Sequence, residues 1–125
     1  PALGEPISHY TDAVRVGDLL FVSGCCASDG TGSVVGCGDV AAQARQTFEN
    51  IGAILDAAGA TFADIAKVTV YLRNVEDRTR INPVRQEFFG DSYPASTLVE
   101  VSKLVHPDFL IEVDVIAHVE GRSRS

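Results

Sequence analysis

Leu110-Ile111-Glu112-Val113-Asp114-Val115-Ile116-Ala117-His118-Val119 is the stretch whose reading decides the fold. Side chains on a strand point alternately to its two faces. Ile111, Val113, Val115, Ala117 and Val119 therefore form one unbroken apolar face, and Leu110, Glu112, Asp114, Ile116 and His118 form a mixed one. The first face requires a covering layer. The second is neither fully polar nor fully apolar.

Other strands surround this one. Thr97-Leu98-Val99-Glu100-Val101 follows the turn at Tyr93-Pro94, and again neither of its faces is fully polar. In Ile65 to Arg73, Val68, Val70 and Leu72 alternate with Lys67, Thr69, Tyr71 and Arg73. Val14 to Gly24 reads as a hairpin turning at Gly17-Asp18. Ser28 to Gly38 is rich in Gly, Ser and Asp and reads as loop, with a short strand at Val34-Val35. Gly30, Gly32 and Gly36 do not fit a phosphate-binding pattern, and no Gly-Lys-Ser/Thr follows them.

Two helices supply the covering layer. Asp39 is a suitable N-cap, and Val40, Ala44, Phe48, Ile51, Leu55 and Ala58 recur at steps of three and four. Gly59 stands where a left-handed C-terminal residue belongs. Gln43, Arg45, Gln46, Glu49 and Asn50 then face water or a partner. A shorter helix runs from near Asp77 to Phe89, burying Ile81, Val84 and Phe88 and ending at Gly90. Pro83 implies that it starts at an Asn82 cap or bends there. The outcome is a single domain over residues 1–125 with α+β layering: a mostly antiparallel or mixed sheet with both helices on one face. An apolar second face in so short a chain predicts another subunit over it.

Composition narrows the function. The chain has 125 residues, 46% of them apolar, and a net charge of −7. So acidic a surface repels phosphate backbones, which argues against nucleic-acid partners and against a membrane surface. No apolar run approaches the ~18 residues of a membrane span, and no basic-then-apolar segment opens the chain. Pro1 comes first and no Met occurs, so an initiator Met is expected to be removed or to lie outside this sequence. Cys25, Cys26 and Cys37 form no disulfide framework, and a reducing cytoplasm is the expected location. No C-x-x-C is present, and neighbours on a strand point apart, so no metal site is expected.

Few residues carry chemistry on their own. Glu112 and Asp114 share a strand face at a separation of ~7 Å. Paired carboxylates divide acid and base roles when their environments differ; the plainer reading is a solvated or interface face. His118 lies on the same face and reads as a surface histidine. His9 and His106 lie in loops without a triad signature. Cys25 follows Ser23-Gly24, where a glycine permits close approach to the backbone. A nucleophilic Cys25 needs a cation to lower its pKa, and none is visible; a small buried filler is the simpler reading.

These residues together resemble the Rid family, also called YjgF/YER057c/UK114. The resemblance spans almost the whole chain. It rests on Tyr10, Val14-x-Val16-Gly17-Asp18, Phe21-Val22-Ser23-Gly24, Asp39-Val40-Ala41-Ala42-Gln43-Ala44-Arg45-Gln46 and Ala57-Ala58-Gly59. It continues through Lys67-Val68-Thr69-Val70-Tyr71-Leu72, Asn82, Phe88-Phe89, Pro94-Ala95, Val99-Glu100-Val101 and Ile111-Glu112-Val113. The resemblance implies a chorismate-mutase-like (YjgF-like) mixed sheet with two helices on one face. It also implies a homotrimer with a central β-barrel and clefts between subunits. Known members hydrolyse enamines and imines such as 2-aminoacrylate to keto acids and ammonia, with no cofactor or metal. By resemblance, Glu112 orients the attacking water, and Tyr10, Gly24 and Asn82 line the pocket.

Two positions depart from that pattern. The deaminases carry Pro-Ala-Arg, whose arginine grips the substrate carboxylate; here Pro94-Ala95-Ser96 stands instead. Losing a bidentate grip costs on the order of 2–4 kcal/mol. Arg73, Arg85 and Lys103 are the cations available to replace it. Cys25 stands where many members have Gln. Three readings follow. One is a Rid-type hydrolase with atypical substrate choice that acts on a C–N bond of a small metabolite, using Glu112 for the water and a Ser96 hydroxyl. Another is a different small-molecule hydrolase with Cys25 or Ser96 as nucleophile. The last is a non-catalytic ligand-binding or regulatory trimer. The endoribonuclease activity attributed to some relatives is disfavoured by the net charge.

Overall fold

The computed structural model describes residues 11–119. Tyr10 and His9 lie outside the described residues. The hairpin comprises β1 (Ala13–Val16) and β2 (Leu19–Cys25), joined across Gly17, whose φ of 58° suits the tight turn. After a loop come α1 (Val40–Ala57), β3 (Ile65–Leu72), α2 (Arg78–Phe89), β4 (Ala95–Glu100) and β5 (Ile111–His118). The sheet order is β1-β2-β5-β3-β4. The β3–β4 pair is parallel, connected through α2, and the remaining pairs are antiparallel. Val34 makes one isolated bridge to Ser28 rather than a strand, because the surrounding Gly-rich chain offers no second rung.

The long alternating segment sits at the centre as β5. Its Ile111, Val113, Val115 and Ala117 are buried beneath the helices. They meet Phe48, Ile51 and Leu55 of α1 and Val68, Val70 and Leu72 of β3 in one core. Phe48 has no exposed surface and packs against Phe62, Phe88 and Phe89 at 5.5–6.2 Å between ring centroids. The helix α1 starts as expected: the Asp39 side chain accepts a hydrogen bond from the Ala42 amide at 3.1 Å. Gly59, with φ 80°, follows its last turn.

Two expectations about the helices change. Gln43 and Asn50 do not face water. Gln43 donates to the Asp108 carbonyl and accepts from the Leu110 amide, both at 2.8 Å. Asn50 donates to the carbonyls of Cys26 at 3.0 Å and Ser28 at 2.8 Å. Loops packed on α1 carry unpaired backbone groups, and these two amides satisfy them. The second helix begins at Arg78, not at Asn82, and passes through Pro83. Pro83 and Thr79 are exposed, so water can take the bond that the proline cannot donate. Ile81, Val84 and Phe89 are buried, while Phe88 is only partly so.

The face away from the helices carries Val14, Val16, Leu19, Phe21 and Val99, all exposed. Cross-strand pairing places Val14 opposite Phe21 and Val16 opposite Leu19, so they form a continuous patch. Among the described residues, no helix is long and apolar enough to cross a membrane.

Candidate functional site

Glu112 leaves β5 on the uncovered face, opposite Tyr71 of β3. Its surroundings are set by an irregularity in β2. Val22 pairs with Val115, yet Cys25 pairs with Val113, so Ser23 and Gly24 together oppose Asp114. The single extra residue is a β-bulge, which reverses the facing of everything after it. Simple alternation puts Cys25 on the uncovered face with Leu19 and Phe21. The bulge turns Cys25 into the core instead, and Cys26 meets Glu112.

The Glu112 carboxylate rests on this bulge. A Cβ built on Gly24 would stand 2.8 Å from Glu112 Cδ, so a larger residue there would push the carboxylate out of this position. The Cys26 thiol donates to Glu112 Oε1 at 3.6 Å. Burial raises the Glu112 pKa, the Cys26 hydrogen bond lowers it, and the Asp114 charge raises it again. The net shift is upward. Beside it, the Tyr71 hydroxyl donates to Asp114 Oδ2 at 2.9 Å, and that bond raises the tyrosine pKa. A half-buried carboxylate with a raised pKa can orient a water and exchange its proton.

The cysteines are less suited to attack. Burial, reinforced by Asp12, Glu112 and Asp114, pushes the Cys25 thiol up to about 12. Burial and Glu112 also raise Cys26. A nucleophilic cysteine needs the opposite, an electropositive setting that yields a thiolate. Cys37 is exposed.

Ser96 lies elsewhere. It pairs with Val68, whose side chain is buried on the helix side, whereas Glu112 pairs with Tyr71 on the uncovered side. Ser96 and Glu112 of one subunit therefore point to opposite faces of the sheet. Ser96 Oγ instead accepts a hydrogen bond from Arg85 of α2 at 2.8 Å. Of the three cations, Arg85 thus reaches Ser96. Lys103 is exposed beyond β4, and Arg73 follows β3 with its Nε buried and, among the described residues, without a hydrogen-bond partner. Asn82 is exposed one turn before Arg85. Gly24 and Glu112 are brought together, then, while Ser96 and Asn82 gather with Arg85. Among the described residues, no three His, Cys, Asp or Glu side chains cluster as metal ligands.

Sequence reasoning missed Cys26 and the Asn50 amide that holds its backbone. The signal for Cys26 was Gly24 itself, since a glycine inside a strand pattern often marks a bulge. Nothing in the polar face of α1 distinguished Asn50 from its neighbours.

Comparison with known proteins extends this picture. A family model described as endoribonuclease L-PSP matches residues 2–119. A RutC family protein of Pyrococcus horikoshii is 46% identical over 117 residues, covering 93% of this chain and 91% of its own. The 3-aminoacrylate deaminase RutC of Acinetobacter baylyi is 39% identical, covering 91% of this chain and 90% of its own. A 2-iminobutanoate/2-iminopropanoate deaminase of Dermatophagoides farinae is 32% identical, covering 96% and 93%. The crystal structure of the YjgF gene product of E. coli superposes with a TM-score of 0.86 at 35% identity, covering 95% of this chain and 94% of its own.

Proposed function

This chain belongs to the YjgF/Rid family, matched as endoribonuclease L-PSP, and from that premise we propose that it is a Rid-type hydrolase opening the C–N bond of a small imine or enamine. The observation that carries the reading is the Glu112 carboxylate, half-buried, seated on the Gly24 bulge and raised in pKa. The relatives named as 3-aminoacrylate and 2-iminobutanoate/2-iminopropanoate deaminases support the same reaction class.

Water attacks the imine carbon, forming a C–O bond. Glu112 accepts one proton of the water and returns it to nitrogen, giving a carbinolamine; the hydroxyl proton then passes to nitrogen through the same carboxylate as the C–N bond breaks, leaving a carbonyl and ammonia. An enamine first gains a proton at carbon and gives one up from nitrogen to reach the imine. The upward shift, caused first by burial, makes the carboxyl a better proton acceptor than an ordinary glutamate. No covalent intermediate is needed, which accords with protonated thiols at Cys25 and Cys26. The acidic net charge of −7 favours this reading over an endoribonuclease, whose substrate it would repel.

The reaction is assigned to a homotrimer in a reducing cytoplasm. The apolar patch from Val14 to Phe21 with Val99 is the surface that subunits would cover. Because Ser96 and Asn82 lie away from Glu112 within one subunit, the cleft is built from the Glu112 side of one subunit and the α2–β4 side of its neighbour. Tyr10, outside the described residues, is proposed for the cleft on the family resemblance alone.

The test is ammonia release from 2-iminobutanoate or 2-aminoacrylate generated in situ by a pyridoxal-phosphate enzyme. Turnover above the spontaneous rate, lost in Glu112→Gln, is the expected result. A folded protein without turnover on either compound would remove the deaminase reading and leave the ligand-binding one.

A further inference from the structure

A chain of hydrogen bonds runs from helix α1 to Glu112. Gln46 and Asn50 stand four residues apart on α1, so they share one face of it. Gln46 Nε2 donates to Asn50 Oδ1 at 2.9 Å. Asn50 Nδ2 donates in turn to the carbonyls of Cys26 and Ser28. Between these two, the Ala27 carbonyl accepts from the Val35 amide at 2.8 Å, and the Ala27 side chain has no exposed surface. Three successive carbonyls beyond β2 are thus held. The last link is the Cys26 thiol, which donates to Glu112 Oε1.

Each link restrains the next. Turning the buried Asn50 amide over would set its oxygen against two carbonyls and its NH2 against that of Gln46. Gln46 therefore fixes which way Asn50 points. The segment from Cys26 to Ser28 cannot slide along the bulge without losing both Asn50 bonds. The thiol consequently stays on Oε1, while Oε2 lies over Gly24. A carboxylate that must meet a water in one geometry depends on such support, because small displacements of a reacting group cost rate steeply.

We propose that Gln46 and Asn50 are positioning residues of the reaction: acting through the Cys26 backbone and thiol, they hold the Glu112 carboxylate in its working orientation. The proposal rests on the hydrolase reading above. Its signature follows from charge. The titratable groups that face Glu112 are Cys26 beyond β2, Asp114 on β5 and Tyr71 on β3. Arg73 stands two residues beyond Tyr71 and so on the same side, and Asp12 takes the Ser23 amide on its backbone carbonyl beside the bulge. Gln46 and Asn50 carry no charge. Replacing them removes no charge near Glu112, so a change in its titration must travel through Cys26.

Carbon-13 NMR of glutamate-labelled protein follows the Glu112 carboxyl through a pH titration without any turnover, its signal assigned with Glu112→Gln. The acid limb of kcat/KM on 2-iminobutanoate is measured on the same variants. Cys26→Ala should move the Glu112 midpoint and the acid limb to higher pH. Gln46→Ala, at a half-buried position that tolerates truncation, should move both the same way by less and lower kcat by about three- to tenfold. Asn50→Ala should move them as far as Cys26→Ala does. In the Cys26→Ala background, Gln46→Ala should move neither any further, because both act through one thiol. Val84→Ala, a core truncation in α2, controls for lost stability and should leave both at their wild-type positions. An unmoved Glu112 midpoint in Gln46→Ala and Asn50→Ala would overturn the proposal. So would an equal shift by Gln46→Ala with and without the Cys26 thiol. The expected NMR shifts without turnover in any variant would leave the hold on Glu112 standing and remove the hydrolase reading.

Discussion

The two faces of the sheet treat charge in opposite ways. On the uncovered face, Glu112 and Asp114 lie on one strand, and among the described residues neither forms a salt bridge. A thiol and a tyrosine hydroxyl answer them instead. On the helix side, Arg85 has no carboxylate in salt-bridge distance among the described residues and is answered by a serine hydroxyl. Each charge is half-desolvated and met by a neutral partner. An ion pair within one subunit would have neutralised both. Keeping them apart leaves each free for a ligand: a carboxylate that needs a water, and a guanidinium that needs an anion. This separation is the physical content of the proposed cleft.

The largest effect should come from removing the carboxylate. Glu112→Gln keeps the shape and loses the base, so turnover should fall by about 10²–10⁴-fold. Stability should move the other way. The folded-state pKa of Glu112 is raised, so wild-type stability declines as pH rises from the ordinary carboxylate range through the raised value. Gln does not titrate, and its melting temperature at neutral pH should equal or exceed that of wild type. Gly24→Ala comes next. A methyl group there displaces the Glu112 carboxylate, the movable end of a flexible side chain, so turnover should drop by roughly tens-fold with little change in stability. Adding Gly24→Ala to Glu112→Gln should lower turnover little further, because both act on one group.

Smaller effects sharpen the comparison. Asn50→Ala leaves the carbonyls of Cys26 and Ser28 without their donor, which should cost about 1–3 kcal/mol in urea unfolding. Cys26→Ala should be the mildest. The thiol stabilises ionised Glu112, so its loss should raise the carboxyl pKa and move the acid limb of kcat/KM to higher pH. Cys26→Ser keeps a donor and should keep the limb near its wild-type position.

Much of the fold was legible because repetition carries it. The six-residue apolar stripe of α1 and the alternation of β5 each repeat one period long enough to exclude the other. The uncovered apolar face followed from the same alternation. The site was less legible because single residues decide it. One inserted residue at Ser23-Gly24 exchanges Cys25 for Cys26, and no periodicity resolves a shift of one. Gln43 and Asn50 looked like solvent-facing amides because their partners are backbone carbonyls and amides from distant loops, which have no sequence identity to read. Ser96 could be aligned with Glu112 in a motif, but facing depends on strand register, and that register puts them on opposite sides. Arg85 could be named as a candidate cation, whereas its contact with Ser96 depends on how α2 docks beside β4.

A mixing experiment tests the divided cleft most directly. Arg85→Ala alters the α2–β4 side of the cleft and Glu112→Gln the other, and each should be impaired in turnover of 2-iminobutanoate. If the two residues serve one cleft from neighbouring subunits, mixed trimers contain clefts in which both are intact. Subunits exchanged under mild denaturant, with mixed trimers verified by native mass spectrometry, should then show ammonia release well above the sum of the two parents. Activity equal to that sum, in verified mixed trimers, would contradict the account.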